Sequence, residues 1–248
     1  MRALLLSLLL VGGTAYPVDD PVLTGNLLYR AGPMADVDCP EKPVAVGNRD
    51  LTRKYVRSIV DCMNTAWSDL MGRVGVPMPP ATAGFVNRPQ VRCGVTWRQG
   101  IQGQYCPADR RFDVLLDQRL LATPRDLSTF LLTAHEYGHH VQHMTGILWA
   151  EVNLPTFGQA EELERSRRIE LQAECLAGVF MGSAWRSLNR PSADLRELRR
   201  MMTVDDDGGG INGSHGSPRN RKSWFTRGFE SRDARTCNTF SANEPRVG

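Results

Sequence analysis

The segment His135-Glu136-Tyr137-Gly138-His139 determines how the rest of this 248-residue sequence is interpreted. Two histidines four residues apart on an α-helix project from one side, ~40° apart around an axis of 3.6 residues per turn. Both imidazoles can then reach one zinc ion, whose bonds to histidine nitrogen are ~2.1 Å long. Glu136 follows the first histidine directly, at the place where zinc-activated water needs a general base. The segment therefore predicts His135 and His139 as zinc ligands and Glu136 as the base.

The flanking sequence places this segment on a helix that follows a strand. The helix is expected to begin near Pro124–Asp126 and to run to about Thr145, where Gly146 can end it. The preceding stretch Arg111–Asp117, RFDVLLD, is short and apolar between polar residues, which favours a strand. We expect this strand to form the edge of a substrate cleft.

Apolar spacing predicts four further helices, over about 51–74, 160–188 and 193–202, and from Pro218 onward. Residues 17–50 and 75–110 lack such periodicity and contain many prolines and glycines. The expected fold class is α+β and mainly helical: a zincin-like domain with a small antiparallel sheet and an active-site helix.

An active zinc site needs a third protein ligand and one open position. His140 and His143 follow on the same helix, but three ligands along one straight helix would span ~12 Å. We therefore expect these two histidines to pack or to support the site from outside. The remaining candidates for the third ligand are carboxylates or His215.

Two glutamates lie four residues apart on one face of the long helix predicted near residue 170. Glu170 could bind the metal, and Glu174 could accept a hydrogen bond from a ligating histidine and fix its tautomer. The alternative is a solvated acidic face paired with Arg167 and Arg168. Apolar neighbours indicate that this part of the helix is buried, and a buried carboxylate needs a partner or a metal. We favour Glu170 as the ligand.

His215 stands just before the last predicted helix, in the sequence His215-Gly216-Ser217-Pro218. Held toward the metal, it could donate a hydrogen bond to an oxyanion in the transition state. Arg221, one turn into that helix, could brace the site or bind a substrate carbonyl or carboxylate. An exposed loop histidine is the alternative, and only the geometry can decide between them.

Several motifs in order resemble the bacterial putative neutral zinc metallopeptidase family. They are YCPAD (105–109), HEYGHHVQ (135–142), RRIELQAECLAG (167–178), HGSPRNR (215–221), Trp224-Phe225 with Gly228-Phe229, and CNTF (237–240). The resemblance covers roughly residues 85–240, whereas residues 16–84 match little. It implies that His135, His139 and Glu170 bind zinc, that Glu136 is the base and that His215 is the oxyanion donor. The family usually has aspartate where this chain has Glu174.

The N-terminal segment is typical of an export signal. Arg2 precedes the apolar run Ala3–Val11, and small residues at Gly13 and Ala15 suit cleavage before Tyr16. The run is shorter than the ~20 residues needed to span a bilayer. We expect residues 1–15 to be a signal peptide and the protein to be secreted or extracytoplasmic, without stable membrane insertion after processing.

The expected division after the signal peptide is an N-terminal arm and helix (16–84), the zinc metallopeptidase domain (85–240) and a C-terminal tail (241–248). Six cysteines in an exported protein favour disulfides over metal ligands. They allow fifteen pairings, among which the sequence does not choose. We favour Cys39–Cys62 and Cys93–Cys106, which close short loops, and Cys175–Cys237, which joins the long helix to the C-terminal region.

Together these features predict an exported zinc-dependent endopeptidase with a peptide or protein substrate and Zn²⁺ as its cofactor. Two alternatives remain: an exported binding protein that zinc merely stabilises, and a zinc amidase acting on a cell-wall crosslink. A net charge of +3 without an arginine cluster interleaved with aromatics gives no sign of nucleic-acid binding. The sequence does not indicate the oligomeric state.

Overall fold

A computed structural model describes residues 16–97, 100–122, 126–203 and 213–248. The expected signal peptide (1–15) lies outside these residues, as do Pro124 and Arg125 at the expected start of the active-site helix. The helices are α1 (Pro21–Thr24), α2 (Arg49–Gly72), α3 (Gln118–Ala122), α4 (Asp126–Met144), α5 (Ile147–Asn153), α6 (Gln159–Ala184), α7 (Ser192–Met201) and α8 (Pro218–Ser231). The strands are β1 (Thr82–Val86), β2 (Val91–Arg92), β3 (Val95–Thr96), β4 (Gly103–Cys106) and β5 (Arg111–Leu115).

The mainly helical α+β fold predicted from the sequence is confirmed. α2 shows why its residues form a helix: Tyr55, Ile59, Met63 and Trp67 recur every four residues and are all buried. Its N-terminus is capped by Asn48, whose side-chain oxygen accepts a hydrogen bond from the Leu51 backbone. α2 packs against α4, and α4 packs in turn against α6. The helix carrying His135 and His139 therefore lies between two others.

The main sheet is mixed, so the prediction of an antiparallel sheet is wrong. Its strand order is β1-β5-β4; β5 pairs with β1 in parallel and with β4 in antiparallel orientation. The RFDVLLD stretch forms β5, the central strand, and it therefore does not form the cleft edge. β4 is an edge strand of this sheet and runs beside α4. A separate two-stranded antiparallel pair joins β2 and β3.

Close contact between α6 and α8 depends on three glycines. An added Cβ at Gly178 or Gly182 would collide with the backbone of α8, and one at Gly228 would collide with the backbone of α6. The two helices therefore approach until backbone meets backbone, as small residues spaced four apart allow. This packing fixes the start of α8, which carries Arg221, against the face of α6 that carries Glu174.

The described N-terminal arm, from residue 16 onward, and the C-terminal region are built into the same core as the helices. Leu23, Leu28 and Met34 from the N-terminal arm and Phe240 and Val247 from the C-terminal region belong to one hydrophobic cluster with α2, α4 and α6. Three disulfides are present, Cys39–Cys62, Cys93–Cys106 and Cys175–Cys237, the same pairs that we favoured from the sequence. Within the described part of the chain, no helix has the length and apolar character needed to cross a membrane.

Candidate metal centre

The two histidines of the HExxH segment converge on one oxygen of Glu170. His135 Nε2 lies 3.1 Å from Glu170 Oε2, and His139 Nε2 lies 3.4 Å from the same atom. The close approach of α4 and α6 makes this possible, because a Cβ at Gly138 would lie 2.9 Å from the Cα of Ala173. A larger residue at position 138 would separate the histidines from the glutamate.

His215 reaches the same oxygen from a different part of the chain. Its Nε2 lies 3.3 Å from Glu170 Oε2, and its Nδ1 lies 3.1 Å from the Ser214 hydroxyl. Gly216 has φ +76°, a conformation that glycine adopts without strain, and Ser217 then caps α8 by accepting a hydrogen bond from the Asn220 backbone. The turn before α8 thus carries His215 toward the histidines of α4.

This arrangement fits zinc in both chemistry and size. Imidazole nitrogens and a carboxylate oxygen are donors that zinc accepts, and a tetrahedral ion with bonds of ~2.1 Å separates its ligand atoms by ~3.4 Å. The three nitrogens lie 3.1, 3.4 and 3.3 Å from Glu170 Oε2. Ligand atoms of His135, Glu170 and His215 all lie within 4.8 Å of one another. The side chains of Glu170 and His215 are 19% and 31% exposed, so water can enter the site.

The electrostatics of the cluster favour an ionised Glu170. Burial raises the pKa of its carboxyl, but the charges of His139 and His215 and the hydrogen bond from His135 outweigh this effect and hold the pKa well below its usual range. Burial lowers the pKa of His135, yet its hydrogen bond to Glu170 and the nearby negative charges of Glu170 and Glu174 raise it well above its ordinary value. The ionised carboxylate of Glu170 therefore supplies the negative charge that the imidazoles contact.

Glu136 lies beside this cluster, between α4 and the edge strand β4. Its side chain is buried, and burial is the main reason that the pKa of its carboxyl is raised. It packs against Gly103, where an added Cβ would lie 2.5 Å from Glu136 Oε1. A carboxylate with a raised pKa is better suited to exchanging protons near neutral pH than an ordinary glutamate is.

Glu174 lies near Nδ1 of His135, but too far away for the hydrogen bond that the sequence predicted. Its Oε2 is 3.8 Å from His135 Nδ1, longer than a hydrogen bond, and its Oε1 is 3.4 Å from Arg221 Nε. Burial raises the pKa of Glu174, but His135 and Arg221 lower it below its usual value. Arg221 therefore braces the carboxylate that faces the back of His135.

His140 and His143 turn away from the metal centre, in line with the expectation that they would not be ligands. The Tyr105 hydroxyl lies 2.9 Å from His140 Nδ1 and 2.8 Å from His143 Nδ1. His140 Nε2 lies 2.8 Å from the Pro79 carbonyl, which can only accept, and burial lowers the pKa of His140 to about 4. This neutral imidazole anchors β4 to α4 through Tyr105.

Two residues next to the site were not identified from the sequence. Gly103 touches Glu136 only because β4 lies beside α4 in the folded chain, and no pattern in the nearby sequence indicates this contact. Gln142, within the HEYGHHVQ motif, is the second: its Oε1 lies 2.9 Å from His139 Nδ1. The sequence does indicate this contact, because Gln142 follows His139 by three residues and residues three apart on a helix are neighbours.

The chain is similar to proteins whose function is uncharacterised. The protein YpfJ of Escherichia coli (strain K12) is 32% identical over 213 residues, which are 78% of this chain and 73% of that protein. The protein Rv2575 of Mycobacterium tuberculosis (strain H37Rv) is 32% identical over 170 residues, 56% of this chain and 55% of that protein. No solved structure matches the chain.

A family model described as "Putative neutral zinc metallopeptidase" matches residues 2–240. The match extends well beyond residues 85–240, so the expectation that residues 16–84 match little is wrong. Its breadth agrees with the structure, in which the N-terminal arm shares the core of α4 and α6. The chain belongs to the putative neutral zinc metallopeptidase family.

Proposed function

We propose that this chain is an exported zinc-dependent endopeptidase. The observation that carries the proposal is the convergence of three imidazole nitrogens on Glu170 Oε2, with the buried Glu136 beside them. His135, His139 and Glu170 would hold the ion. A zinc-stabilised binding protein would have no need of a buried carboxylate next to its metal, so Glu136 favours an enzyme.

When bound, zinc supplies Lewis acidity, which polarises a carbonyl group and makes water easier to deprotonate. Glu136 takes the proton from the attacking water and later delivers it to the leaving amine nitrogen. Its raised pKa, caused mainly by burial, suits both steps because the group must gain and lose the proton. His215 donates a hydrogen bond to the oxyanion that develops on the attacked carbonyl.

The edge strand β4 offers a place for the substrate backbone. Its one strand partner among the described residues is β5, and an extended peptide would pair with its other edge. Gly103 at the start of β4 lies against Glu136, and a peptide paired along β4 would pass close to that carboxylate. This placement supports cleavage within a chain rather than a requirement for a free terminus.

Three disulfides support export. Disulfides persist in oxidising compartments and are rare in the cytosol, where thiols are kept reduced. All six cysteines of the chain are paired, and Cys175–Cys237 joins α6, which carries Glu170, to the C-terminal region. The apolar N-terminal sequence is the second support for this assignment.

The decisive experiment is cleavage of a diverse peptide mixture by the mature, disulfide-intact protein, read by mass spectrometry. We expect cuts that a chelator abolishes and zinc restores. Glu136→Gln should retain zinc and lose at least ~10²-fold in cleavage rate, since it removes the general base. Glu170→Ala should lose zinc affinity together with activity, whereas undiminished zinc binding would assign the third ligand to another residue.

The same assay, repeated with crosslinked wall fragments, separates the two alternatives, a zinc amidase and a zinc-stabilised binding protein. Zinc binding without cleavage of any peptide, together with cleavage of crosslinked wall fragments, would support the amidase. Zinc binding without hydrolysis of either substrate would support a binding protein. Cleavage that survives Glu136→Gln at full rate would disprove the mechanism.

A further inference from the structure

A chain of buried hydrogen bonds runs from His139 to the N-terminal arm. Gln142 and Gln172, which form its middle, are both fully buried. Gln142 Oε1 lies 2.9 Å from His139 Nδ1, and Gln142 Nε2 donates to Gln172 Oε1 at 3.0 Å. Gln172 Nε2 donates to the Tyr29 hydroxyl at 2.8 Å, and that hydroxyl donates to the Leu23 carbonyl. We call these four side chains, of His139, Gln142, Gln172 and Tyr29, the His139 relay.

Two backbone carbonyls fix the direction of every bond in the relay. Gln142 Nε2 also donates to the Ile169 carbonyl at 2.8 Å, and Gln172 Nε2 also donates to the Cys237 carbonyl at 3.1 Å. A carbonyl oxygen only accepts, so each amide must present its NH₂ group there. Rotating either amide by half a turn would bring oxygens face to face and leave buried groups unpaired, which is costly for each group.

The fixed amide of Gln142 decides where the proton of His139 lies. Its oxygen faces His139 Nδ1 and has no proton to give, so Nδ1 must carry one. In neutral His139 the lone pair then lies on Nε2, the atom 3.4 Å from Glu170 Oε2. This is the form that a metal ligand needs, since the coordinating nitrogen must be free of its proton.

We propose that Gln142 is a positioning residue that holds His139 as the Nδ1–H tautomer, with Gln172 and Tyr29 fixing the orientation of Gln142. This inference rests on the proposed role of His139 as a ligand. It assigns the two α4 histidines different supports: a neutral amide behind His139, and the carboxylate of Glu174 near Nδ1 of His135. It also extends the support of the metal centre to the N-terminal arm, through Tyr29.

The test is to locate the ring proton of His139 in metal-free protein labelled with ¹⁵N-histidine. Long-range ¹H–¹⁵N spectra are recorded at a pH at which His139 is neutral, and zinc affinity is measured separately by competition with a chelator. Wild-type protein should show the proton on Nδ1. Gln142→Met should move it largely to Nε2 and weaken zinc binding ~10–100-fold, the usual effect of losing such a support.

Three further variants make the result specific. Gln142→Glu keeps an oxygen facing Nδ1 and should retain the Nδ1–H tautomer, although its second oxygen cannot replace the bonds that the amide nitrogen donates to Ile169 and Gln172. Gln172→Met should have a smaller effect than Gln142→Met, because Gln142 keeps its bond to the Ile169 carbonyl. Tyr137→Phe removes a buried hydroxyl bond to Asn64 from the same helix and should change neither readout.

The proton on Nε2 in wild-type protein would overturn the proposal, and this result needs no variant to fold. Gln142→Met with an unchanged tautomer and unchanged zinc affinity would overturn it too. Failure of the proposed function would look different. Wild-type protein with the Nδ1 proton and tight zinc binding, but no hydrolysis of peptides, would contradict the peptidase and support the relay.

Discussion

The position of His215 allows two roles, oxyanion donor and metal ligand, and one variant distinguishes them. Its Nε2 is as close to Glu170 Oε2 as the corresponding nitrogens of His135 and His139 are. It is also more exposed than either, with 31% of its side chain accessible against 13% for each of the others. A group at the open side of the cluster is placed to meet a substrate, whereas the buried pair is placed to hold an ion.

We therefore expect His215→Ala to retain zinc and to lower kcat by ~10²–10³-fold, the effect of removing one oxyanion donor. The measurements are zinc affinity by chelator competition and kcat on a peptide found in the cleavage screen. Glu136→Gln is the matched control, because it should also retain zinc. Loss of zinc from His215→Ala would instead make His215 a metal ligand.

Gly103 permits the observed position of the Glu136 side chain. Gly103→Ala would place a methyl group 2.5 Å from Glu136 Oε1, so that carboxylate must move. A displacement of ~1 Å in a catalytic group can cost ~10²-fold in rate. We expect a loss of that order in kcat with zinc affinity unchanged. Gly72→Ala, where an added Cβ meets no atom within 4 Å, should leave both values intact, and equal rates in the two variants would contradict the prediction.

At the residue scale, the sequence predicts side chains related by helical spacing better than contacts made between elements. His135 and His139 lie four apart on one helix, and their side chains do converge. Glu170 was favoured because its neighbours are apolar, and the structure places it against both histidines. Gly103 could not be predicted, because its contact depends on how β4 lies against α4. The roles of these residues remain predictions until the metal is measured.

At the scale of elements, periodicity predicted most of the helices and could not predict the sheet. α2, α4 and α6 carry apolar residues at helical spacing, and α8 begins at the expected Pro218. The parallel pairing of β1 with β5 joins residues about thirty apart, such as Thr82 and Arg111. Nothing in a five-residue strand specifies such a distant partner, and the orientation of the sheet was therefore predicted wrongly.

The packing of α6 on α8 makes a prediction at this scale. Gly178→Ala would drive a methyl group into the backbone of Phe225, which cannot rotate away as a side chain could. We expect a loss of ~1–3 kcal/mol in the free energy of unfolding, the usual cost of overpacking. Urea denaturation of the disulfide-intact protein measures it, with Gly72→Ala as control. An unchanged midpoint for Gly178→Ala would show that the two helices can separate at no cost.

At the scale of the whole molecule, a buried ion pair adds to the disulfide and the core in holding the C-terminal region. Arg168 on α6 is fully buried and bonds Glu164 at 2.6 Å, one turn earlier. Its guanidinium also donates to the carbonyls of Thr239 and Ala242, and the Thr239 hydroxyl donates back to the Arg168 carbonyl at 2.7 Å. The chain after Cys237 is thereby fastened to the helix that carries Glu170.

Arg168→Met should therefore be among the most destabilising single substitutions in the chain. It would leave Glu164 as a buried, unpaired charge and two buried carbonyls without a donor, and breaking a buried pair in this way costs ~3–5 kcal/mol. The double variant Arg168→Met with Glu164→Leu should recover part of the loss, since the unpaired charge is gone while the carbonyls remain unsatisfied. Arg200→Met, which removes an exposed ion pair with Glu197, should leave the urea midpoint unchanged.

Hydrogen exchange shows where the stability is lost: in Arg168→Met the amides of residues 238–247 should lose protection before those of α4 do. If protection instead fell equally throughout the protein, the ion pair would be stabilising the core as a whole rather than fastening its C-terminal region.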